Sequence, residues 1–360
     1  MRANSRAADA ELPSACVVYG AGRFGSLLAS ELVDAGVEVV GMLDCAVDRS
    51  DEAIPVWHPE KCPNIGEYPV ILGICNPSTS PIEVSGYLSG LGYANVLSPA
   101  SVFASLGQAG RKLDHYWLTS DVDMYVRESD QVEQARSQLA DERSVSVYTS
   151  LLRYRTEGDL GALPDVDPLA LQYLPADVDF INGPVDLLDA GAYDGDTIRS
   201  YLGAGVDLKS VLALEPDPAN FRRLTQELAS HPDLVALALP LGLSRGTELV
   251  RFTANGTSGA TISESGTTRI QCVALDDVVQ GWPITHVKMD IEGAEPNALE
   301  GMRRLLISTR PRLAISVYHR PDHLWTILLQ LAALDLEYRF HLRCYGEQCF
   351  DTVLYAIPAD

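Results

Sequence analysis

The sequence predicts an α/β protein with two doubly wound domains, each built on a mainly parallel sheet. A β-branched strand, a glycine-rich turn and a helix occur in that order twice, once near residue 20 and once near residue 190. After each turn, strand-like apolar runs alternate with helical periodicity, and the chain ends on two strand-like runs with no helix between them. That closing pair predicts an antiparallel edge strand in the second sheet.

Patterning divides the 360 residues into four segments. Residues 1–12 are polar and rich in alanine, which predicts a disordered tail rather than a signal peptide. We expect the first α/β domain at 13–110, a helical connector at 111–180 and the second α/β domain at 181–360.

Composition argues against several classes of partner. The formal net charge of −22 disfavours nucleic acid and anionic membrane surfaces, both of which attract basic proteins. No apolar run approaches the ~18 residues of a membrane-spanning helix. The seven cysteines are scattered and form no C-x-x-C pair, which fits reduced thiols. We therefore expect a cytoplasmic protein that acts on a small molecule, with a homodimer left open.

The first glycine motif, GAGRFG at 20–25, has the context of a dinucleotide-binding turn in a Rossmann-like domain. It follows the strand-like run ACVVY, and Asp44 ends the next strand nineteen residues after Gly25. The predicted nucleotide site consists of Gly20, Gly22, Arg23, Phe24, Gly25 and Asp44. Three interpretations stay open: redox chemistry with NAD(P)(H), binding of a nucleotide-linked acceptor, or a module without ligand used for packing or dimerisation. No His, Lys or Tyr constellation indicates hydride transfer, which favours the last two.

The second glycine motif, LDAGAYDGDT at 188–197, differs because it carries acids. Its aspartates would repel a pyrophosphate, whereas Gly191 and Gly195 permit a sharp turn. Glu215 ends the following strand, twenty residues after Gly195, and is placed to accept two ribose hydroxyls. S-adenosylmethionine (SAM) fits, because it has a ribose and two cationic groups but no phosphate. The alternative is a plain βα turn, with Asp194 and Asp196 favoured at a helix N-terminus.

A third acidic stretch, KMDIEGAEP at 288–296, follows a strand on the same rim. Asp290 is predicted to face the methionine end of the cofactor or to orient an acceptor hydroxyl. Asp290 and Glu292 also offer the oxygen ligands that Mg²⁺ prefers. The alternative is that Glu292 and Glu295 cap the helix that follows. Lys288 either pairs with a nearby acid or has a role in the active site.

His319 ends the next strand, where an imidazole can accept a proton near neutral pH. We hypothesise that it is the general base, with Asp290 as its catalytic partner; a histidine bonded within its loop is the alternative. Thr261, in the polar loop NGTSGATIS at 255–263, is predicted to contact the carboxylate of the cofactor unless that loop is a simple hairpin. The full predicted cofactor set is Asp189, Gly191, Tyr193, Asp194, Gly195, Asp196, Glu215, Asp217, Thr261 and Asp290.

The ordered motifs of the C-terminal half resemble the FkbM-type family of SAM-dependent methyltransferases. The resemblance is carried by LDAGAYDGDT, ALEPDPANFRRL, LDDVV, VKMDIEGAEPNALEGM and RPRLAISVYH, and it covers about residues 180–358. In the connector, DERSVSVYTSLLRYR and LQYLP are similar as well. The resemblance implies a class I SAM methyltransferase fold and O-methylation of a sugar or natural product. Tyr193 departs from the family pattern, because many relatives have Asn there.

The sequence thus predicts a SAM-dependent O-methyltransferase that acts on a hydroxyl of a small molecule. Two alternatives remain: an NAD(P)-dependent oxidoreductase that uses the first glycine motif, and a non-catalytic SAM-binding protein. N- or C-methylation and the identity of the acceptor are left open.

Overall fold

The computed structural model describes residues 11–47, 53–63, 65–253, 266–279 and 281–359, and the backbone of 261–262. Most of the predicted tail lies outside these residues. The chain divides into two compact units. The first has the limits Met1–Val132, Ser146–Val166 and Cys344–Asp351, and the second has the limits Glu133–Val145, Asp167–Arg343 and Thr352–Asp360. The stretch predicted as a connector therefore contributes residues to both units.

The first unit contains a five-stranded parallel sheet, because short β-branched runs alternate with helices along this part of the chain. Its strands are β1 Ala15–Tyr19, β2 Glu38–Leu43, β3 Val56–Trp57, β4 Val70–Leu72 and β5 Val96–Leu97, and a hairpin adds β6 Asp114–His115 and β7 Leu118–Thr119. The sheet order is β3-β2-β1-β4-β5. The chain crosses from one side of β1 to the other, which is the switch point of a Rossmann-like sheet.

Helices follow the strands of this unit in the predicted alternation. They are α1 Arg23–Asp34, α2 Pro81–Gly90, α3 Pro99–Gln108, α4 Met124–Arg127, α5 Ser129–Ser137 and α6 Glu142–Glu157, with 3₁₀ turns at Pro59–Lys61, Leu160–Ala162 and Glu347–Cys349. Ser80 and Ser98 cap α2 and α3, and a proline follows each cap at the first helical position. The unit boundary falls within α5 and α6.

The second unit holds the larger sheet and a smaller one. Its strands are β8 Val185–Ala190, β9 Leu208–Leu214, β10 Val235–Leu239, β11 Gly242–Leu243, β12 Glu248–Thr253, β13 Thr261–Ile262, β14 Thr268–Val273, β15 His286–Met289, β16 Arg312–Ser316, β17 Tyr338–Cys344 and β18 Thr352–Pro358. Its helices are α7 Asp196–Gly203, α8 Pro218–Ala229, α9 Leu275–Val278, α10 Glu295–Gly301, α11 Arg303–Thr309 and α12 His323–Ala332, with a 3₁₀ turn at Leu169–Leu171.

The seven-stranded sheet has the order β10-β9-β8-β15-β16-β18-β17. Strands β8, β9, β10, β15 and β16 are parallel, and β18 runs antiparallel to β16. The antiparallel strand therefore lies one position in from the edge strand β17. The predicted α/β class with two Rossmann-like sheets is confirmed. Strand β8 separates β9 from β15, so the carboxyl ends of these three strands meet at one switch point, where ligands bind in such sheets.

The smaller sheet has the order β11-β14-β12-β13, with β12 antiparallel to both neighbours. Most of the predicted Gly/Thr/Ser loop at 255–263 lies outside the described residues, and for Thr261 only the backbone is described. Across the described part of the chain, no helix combines the length and the apolar character needed to cross a membrane.

Candidate functional site

The turn after β8 depends on two glycines in the left-handed region, Gly191 at φ 76° and Gly195 at φ 89°. A Cβ on Gly191 would lie 1.9 Å from the carbonyl oxygen of Asp290, and one on Gly195 would lie 2.9 Å from Cγ of Glu227. The backbone turn favours glycine at both positions, and the contact with the Asp290 backbone also leaves no space for a Cβ at Gly191.

Glu215 ties the end of β9 to this turn. Its carboxylate accepts the backbone N–H of Tyr193 at 2.9 Å and that of Asp217 at 2.8 Å. The residue is 5% exposed, and burial raises the pKa of its carboxyl to about 7. Glu215 thus lies beside the glycine turn, as the sequence predicts. Its carboxyl changes protonation near neutral pH.

Three other predicted cofactor acids have partners within their own helix openings. Asp217 caps α8 by accepting the N–H groups of Ala219 and Asn220. Asp194 pairs with Arg199 at 2.7 Å, and the exposed Asp196 accepts the N–H of Thr197 at 2.8 Å. These contacts follow from the position of the acids at helix N-termini. A cofactor role for the three stays a prediction.

Tyr193 precedes Asp194 in the turn and has a left-handed conformation, at φ 48°. Its ring is half-buried, and the guanidinium of Arg223 lies 5.4 Å from the ring centroid. The backbone N–H of Tyr193 donates to Glu215, which fixes this residue at the carboxyl ends of β8 and β9.

Behind the turn lies a buried ion pair. Asp189 is 0% exposed, and its Oδ1 lies 3.1 Å from Nζ of Lys288. Lys288 also donates to the carbonyl of Gly191 at 2.6 Å, and its Nζ lies 5.5 Å from the ring centroid of Tyr173. Burial opposes the charge on Lys288, but Asp189 and other acids raise the pKa of this amine above its ordinary value. The predicted pairing of Lys288 with an acid is present, and Asp189 is the acid.

A second group of polar side chains surrounds His319, and we call it the His319 cluster: Asp290, Glu292, Glu295, His319 and His323. Nδ1 of His319 lies 2.8 Å from Glu295, and Nε2 lies 3.2 Å from Asp290 Oδ1 and 3.7 Å from Glu292. Nδ1 of His323 is 3.3 Å from Glu295. The strand ends of β15 and β16 thus bring together the predicted Asp290, Glu292 and His319, and α10 and α12 add Glu295 and His323.

The charges in this cluster are strongly coupled. Although burial opposes it, Glu295 and then Asp290 raise the pKa of His319 well above its usual range. In turn, His319 lowers the pKa of the buried Glu295. These neighbours favour the protonated ring, whereas a general base requires a nitrogen lone pair.

Glu295 combines a structural contact with this electrostatic one. Its Oε1 accepts the N–H of Ile291 at 3.0 Å and that of Gly293 at 3.4 Å, so the first residue of α10 orders the loop before the helix. Sequence reasoning weighed only a structural role at the helix start for Glu295. It missed the contact with His319, which depends on a residue 24 positions away.

Sequence reasoning also missed Tyr173, which contacts the predicted site residue Asp290. Its hydroxyl donates to Oδ2 of Asp290 at 3.2 Å and lies 3.4 Å from Oγ of Ser316. Its backbone is left-handed at φ 64°, and its N–H donates to the hydroxyl of Tyr355 at 3.1 Å. The motif LQYLP, which belongs to the resemblance, was the available signal, but nothing in its spacing pointed to Asp290.

In the first unit, the three motif glycines differ in what surrounds them. A Cβ on Gly20, at φ 105°, would lie 2.8 Å from the Gly73 carbonyl, and one on Gly25 would lie 1.8 Å from the Gly20 carbonyl. Gly22, by contrast, faces open space among the described residues. In a dinucleotide-binding turn the first glycine permits the tight turn, the second lets the ligand approach and the third permits close helix packing. Gly20, Gly22 and Gly25 fit these three roles.

The remaining residues of the predicted nucleotide site lie around this turn. Asp44 accepts the N–H of Ala21 at 3.0 Å and that of Ala46 at 2.8 Å, so its carboxylate already orders the glycine loop. Arg23 is exposed at the first position of α1, and the ring of Phe24 lies 4.9 Å from that of His115. A ligand for this group stays a prediction.

Comparison with protein-family models matches residues 189–343 to the methyltransferase FkbM domain. This part of the chain is an FkbM domain. It makes the protein a SAM-dependent methyltransferase, as the motifs predicted. The FkbM domain begins at the buried Asp189 and ends at Arg343 in β17, so it contains the glycine turn and the His319 cluster.

Among solved structures, a methyltransferase FkbM supports the fold, and two others match with low TM-scores. Methyltransferase FkbM from Methylobacillus flagellatus KT matches 96% of this chain and 90% of its own, with a TM-score of 0.78 and 21% identity. Fibrillarin from Aeropyrum pernix in complex with SAM matches 52% of this chain and 73% of its own, with a TM-score of 0.33 and 12% identity. An rRNA methylase from Streptococcus thermophilus matches 53% of this chain and 90% of its own, with a TM-score of 0.33 and 17% identity. The comparison with curated proteins gave no match.

Proposed function

We propose that the FkbM domain transfers the methyl group of SAM to a hydroxyl oxygen of a small molecule, such as a sugar or a natural product. The observation that carries the proposal is the contact between the glycine turn and the strand end that bears the His319 cluster. Gly191 packs against the carbonyl of Asp290 and accepts the Nζ–H of Lys288. Residues suited to holding SAM are therefore adjacent to residues suited to orienting a hydroxyl.

The chemistry of the turn fits SAM. Each carboxylate oxygen has two lone pairs, so Glu215 can accept ribose hydroxyls while it holds the N–H groups of Tyr193 and Asp217. The acids of the turn favour a cationic ligand over a phosphate. When bound, SAM supplies a methyl group made reactive by its sulfonium. The chain's part is to align the acceptor oxygen, which is worth roughly 7–11 kcal/mol in well-oriented reactions.

Asp290 and His319 form the proposed catalytic pair. The side chain of Asp290 is 25% exposed. The Tyr173 hydroxyl contacts its Oδ2, and His319 contacts its Oδ1. This supports a role for Asp290 in orienting the acceptor hydroxyl. For His319 to act as the general base, the proton stabilised by its carboxylate neighbours must first be displaced from the ring.

Isothermal titration with S-adenosylhomocysteine (SAH) tests the cofactor assignment. We expect micromolar binding by the wild type, a loss of at least tenfold in Glu215→Ala, and no change in Asp233→Ala, which removes an exposed acid outside the turn. Absence of binding by the folded wild type would contradict the proposal.

The acceptor is tested separately, by incubating the protein with methyl-labelled SAM and a panel of sugars and hydroxylated natural products. NMR of the product distinguishes O-methylation from N- or C-methylation. His319→Ala should lose most of the turnover while it keeps SAH binding. Near-normal turnover in that variant would rule out His319 as the base.

Binding of a nucleotide by the first unit stays a second, separate proposal. The open space at Gly22 and the absence of an acid in the first turn of α1 support it. A nucleotide-linked acceptor, an NAD(P) activity and a ligand-free module remain the three alternatives.

A further inference from the structure

We propose that the His319 cluster binds a divalent first-row transition metal, such as Mn²⁺, Fe²⁺ or Zn²⁺, through Nε2 of His319 and the carboxylates of Asp290 and Glu292. The site deepens the proposed function, because it would place the metal beside the acceptor hydroxyl. Its existence is tested by metal binding alone.

The spacing of the donor atoms supports the site. Nε2 of His319 lies 3.2 Å from Oδ1 of Asp290 and 3.7 Å from Oε1 of Glu292. Two ligands that each bond a metal at about 2.0–2.2 Å lie about 3–3.6 Å apart in octahedral or tetrahedral geometry. Asp290 and His319 also belong to a group of three residues, with Glu295 as the third, whose donor atoms lie within 4.8 Å of one another; Glu292 joins the proposed ligands through its contact with Nε2 of His319.

The position of Glu295 is that of a carboxylate that orients a metal-bound histidine. It contacts the other ring nitrogen, Nδ1, at 2.8 Å, and it is itself 0% exposed. Metal-bound histidines commonly donate their second N–H to a carboxylate, which fixes the tautomer and aims the lone pair at the metal. The N–H groups of Ile291 and Gly293 hold Glu295 in that position.

Three buried polar atoms of the cluster have ion-pair contacts that fall short of hydrogen-bond geometry. Oδ1 of Asp290 lies 3.2 Å from Nε2 of His319, and Oε2 of Glu295 lies 3.3 Å from Nδ1 of His323. Buried polar groups are costly when they are poorly satisfied. A cation bound at Nε2 would give Oδ1 of Asp290 a well-aligned partner.

The path to solvent lies on the carboxylate side. The side chains of Asp290 and Glu292 are 25% and 15% exposed, whereas that of His319 is 1% exposed. A metal held there would keep open positions toward a ligand, as catalytic metal sites do. The backbone of Glu292 is left-handed, at φ 56°, and this conformation directs its carboxylate toward His319.

The nitrogen donor selects the metal. Mg²⁺ prefers oxygen ligands only, whereas imidazole with carboxylates suits Mn²⁺, Fe²⁺ or Zn²⁺. The Mg²⁺ predicted at Asp290 and Glu292 is therefore replaced in our proposal by a metal that also accepts His319.

The experiment uses the full chain without a histidine tag, stripped with EDTA and titrated calorimetrically with Mn²⁺, Zn²⁺ and Mg²⁺ in turn. We expect one equivalent of Mn²⁺ or Zn²⁺ to bind and Mg²⁺ to bind at least tenfold more weakly. His319→Ala and Glu292→Gln should lose at least tenfold in affinity, and Glu295→Gln about 10–100-fold. His231→Ala is the matched control, because His231 also contacts a glutamate, Glu227 at 3.0 Å, but lies outside the cluster. This variant should bind the metal like the wild type.

Each outcome bears on the proposal. Unchanged affinity in His319→Ala, or Mg²⁺ binding as strong as that of Mn²⁺, overturns it. If His319→Ala fails to fold, the part-exposed Glu292→Gln decides. SAH binding without metal binding overturns this inference and leaves the methyltransferase proposal standing, whereas metal binding without SAH binding does the reverse.

Discussion

At the scale of single residues, Glu215 shows how burial prepares a side chain for a ligand. Two backbone N–H groups hold its carboxylate, yet burial raises its pKa to about 7. Because the ionised form is the better acceptor of ribose hydroxyls, ligand binding and the charge on Glu215 are coupled.

This coupling predicts a pH dependence. Below pH 7 Glu215 is protonated, and binding SAH must either expel that proton or lose an acceptor, so the affinity should fall by about tenfold between pH 8 and pH 6. Calorimetry across this range measures it. In Glu215→Gln the affinity should be weaker and nearly independent of pH. Parallel slopes in the two proteins would contradict the assignment.

The ion pair between Lys288 and Asp189 is a second case where burial decides the outcome. Lys288→Met leaves a fully buried carboxylate without its cation, so we expect the unfolding free energy to drop by about 3–5 kcal/mol. Lys209→Met breaks the exposed pair with Asp207, at 2.7 Å, and should cost about 1 kcal/mol or less. Urea unfolding measures both, and equal effects would show that Asp189 is neutral in the folded protein.

At the scale of elements, the turn between β8 and α7 is the joint on which the site depends. Gly191 is confined by the Asp290 carbonyl, so the ends of β8 and β15 cannot separate without opening the turn. Gly203 is the last residue of α7, and a Cβ added there would meet nothing within 4 Å among the described residues apart from its own helix.

The two glycines should therefore respond in opposite ways to alanine. Gly191→Ala should lose more than about 1 kcal/mol of stability and most SAH binding, because both φ and the available space oppose a Cβ. Gly203→Ala should be neutral or stabilising by up to about 1 kcal/mol. Thermal unfolding with and without SAH measures both; a Gly191→Ala variant that binds normally would contradict the packing argument.

The elements themselves were predictable from the sequence, but the site was predictable only in part. Alternation of apolar runs and glycine turns indicates β8, α7 and β9, and chain order places Asp189, Glu215, Asp290 and His319 at strand ends. The contacts of Glu295 and Tyr173 were not predictable, because each bridges distant stretches whose approach is decided by packing. Asp217 shows a second limit of sequence reasoning. It caps α8, and the sequence pattern of a helix cap is the same as that of a ligand-binding acid at this position.

At the scale of the whole molecule, one chain carries two glycine turns of opposite chemistry. The first has no acid in its helix opening and an exposed Arg23, and the second is acidic. The FkbM domain accounts for the second only. The domain limits drawn from the sequence remain a prediction. In the structure each unit consists of three stretches of chain, and the chain passes between the units within residues 133–166 and 344–351.

The first turn is tested with a nucleotide. NADH fluorescence should change when wild-type protein is added, and Gly22→Asp should abolish the change, because Gly22 has room for a side chain but not for a side chain and a phosphate together. Gly86→Asp, at an equally open position in α2, should leave it intact. No response from the wild type to NADH or to a nucleotide sugar would favour a module without ligand.

The position of Tyr173 limits where the catalytic half can be cut from the chain. It contacts Asp290, yet it stands sixteen residues before the FkbM domain as matched, and residues 133–145 belong to the same unit. A fragment cut at residue 181 would retain the acidic glycine turn and the His319 cluster and still lack the Tyr173 hydroxyl that contacts Asp290. A graft of this enzyme onto another protein must therefore carry its upstream segments with it.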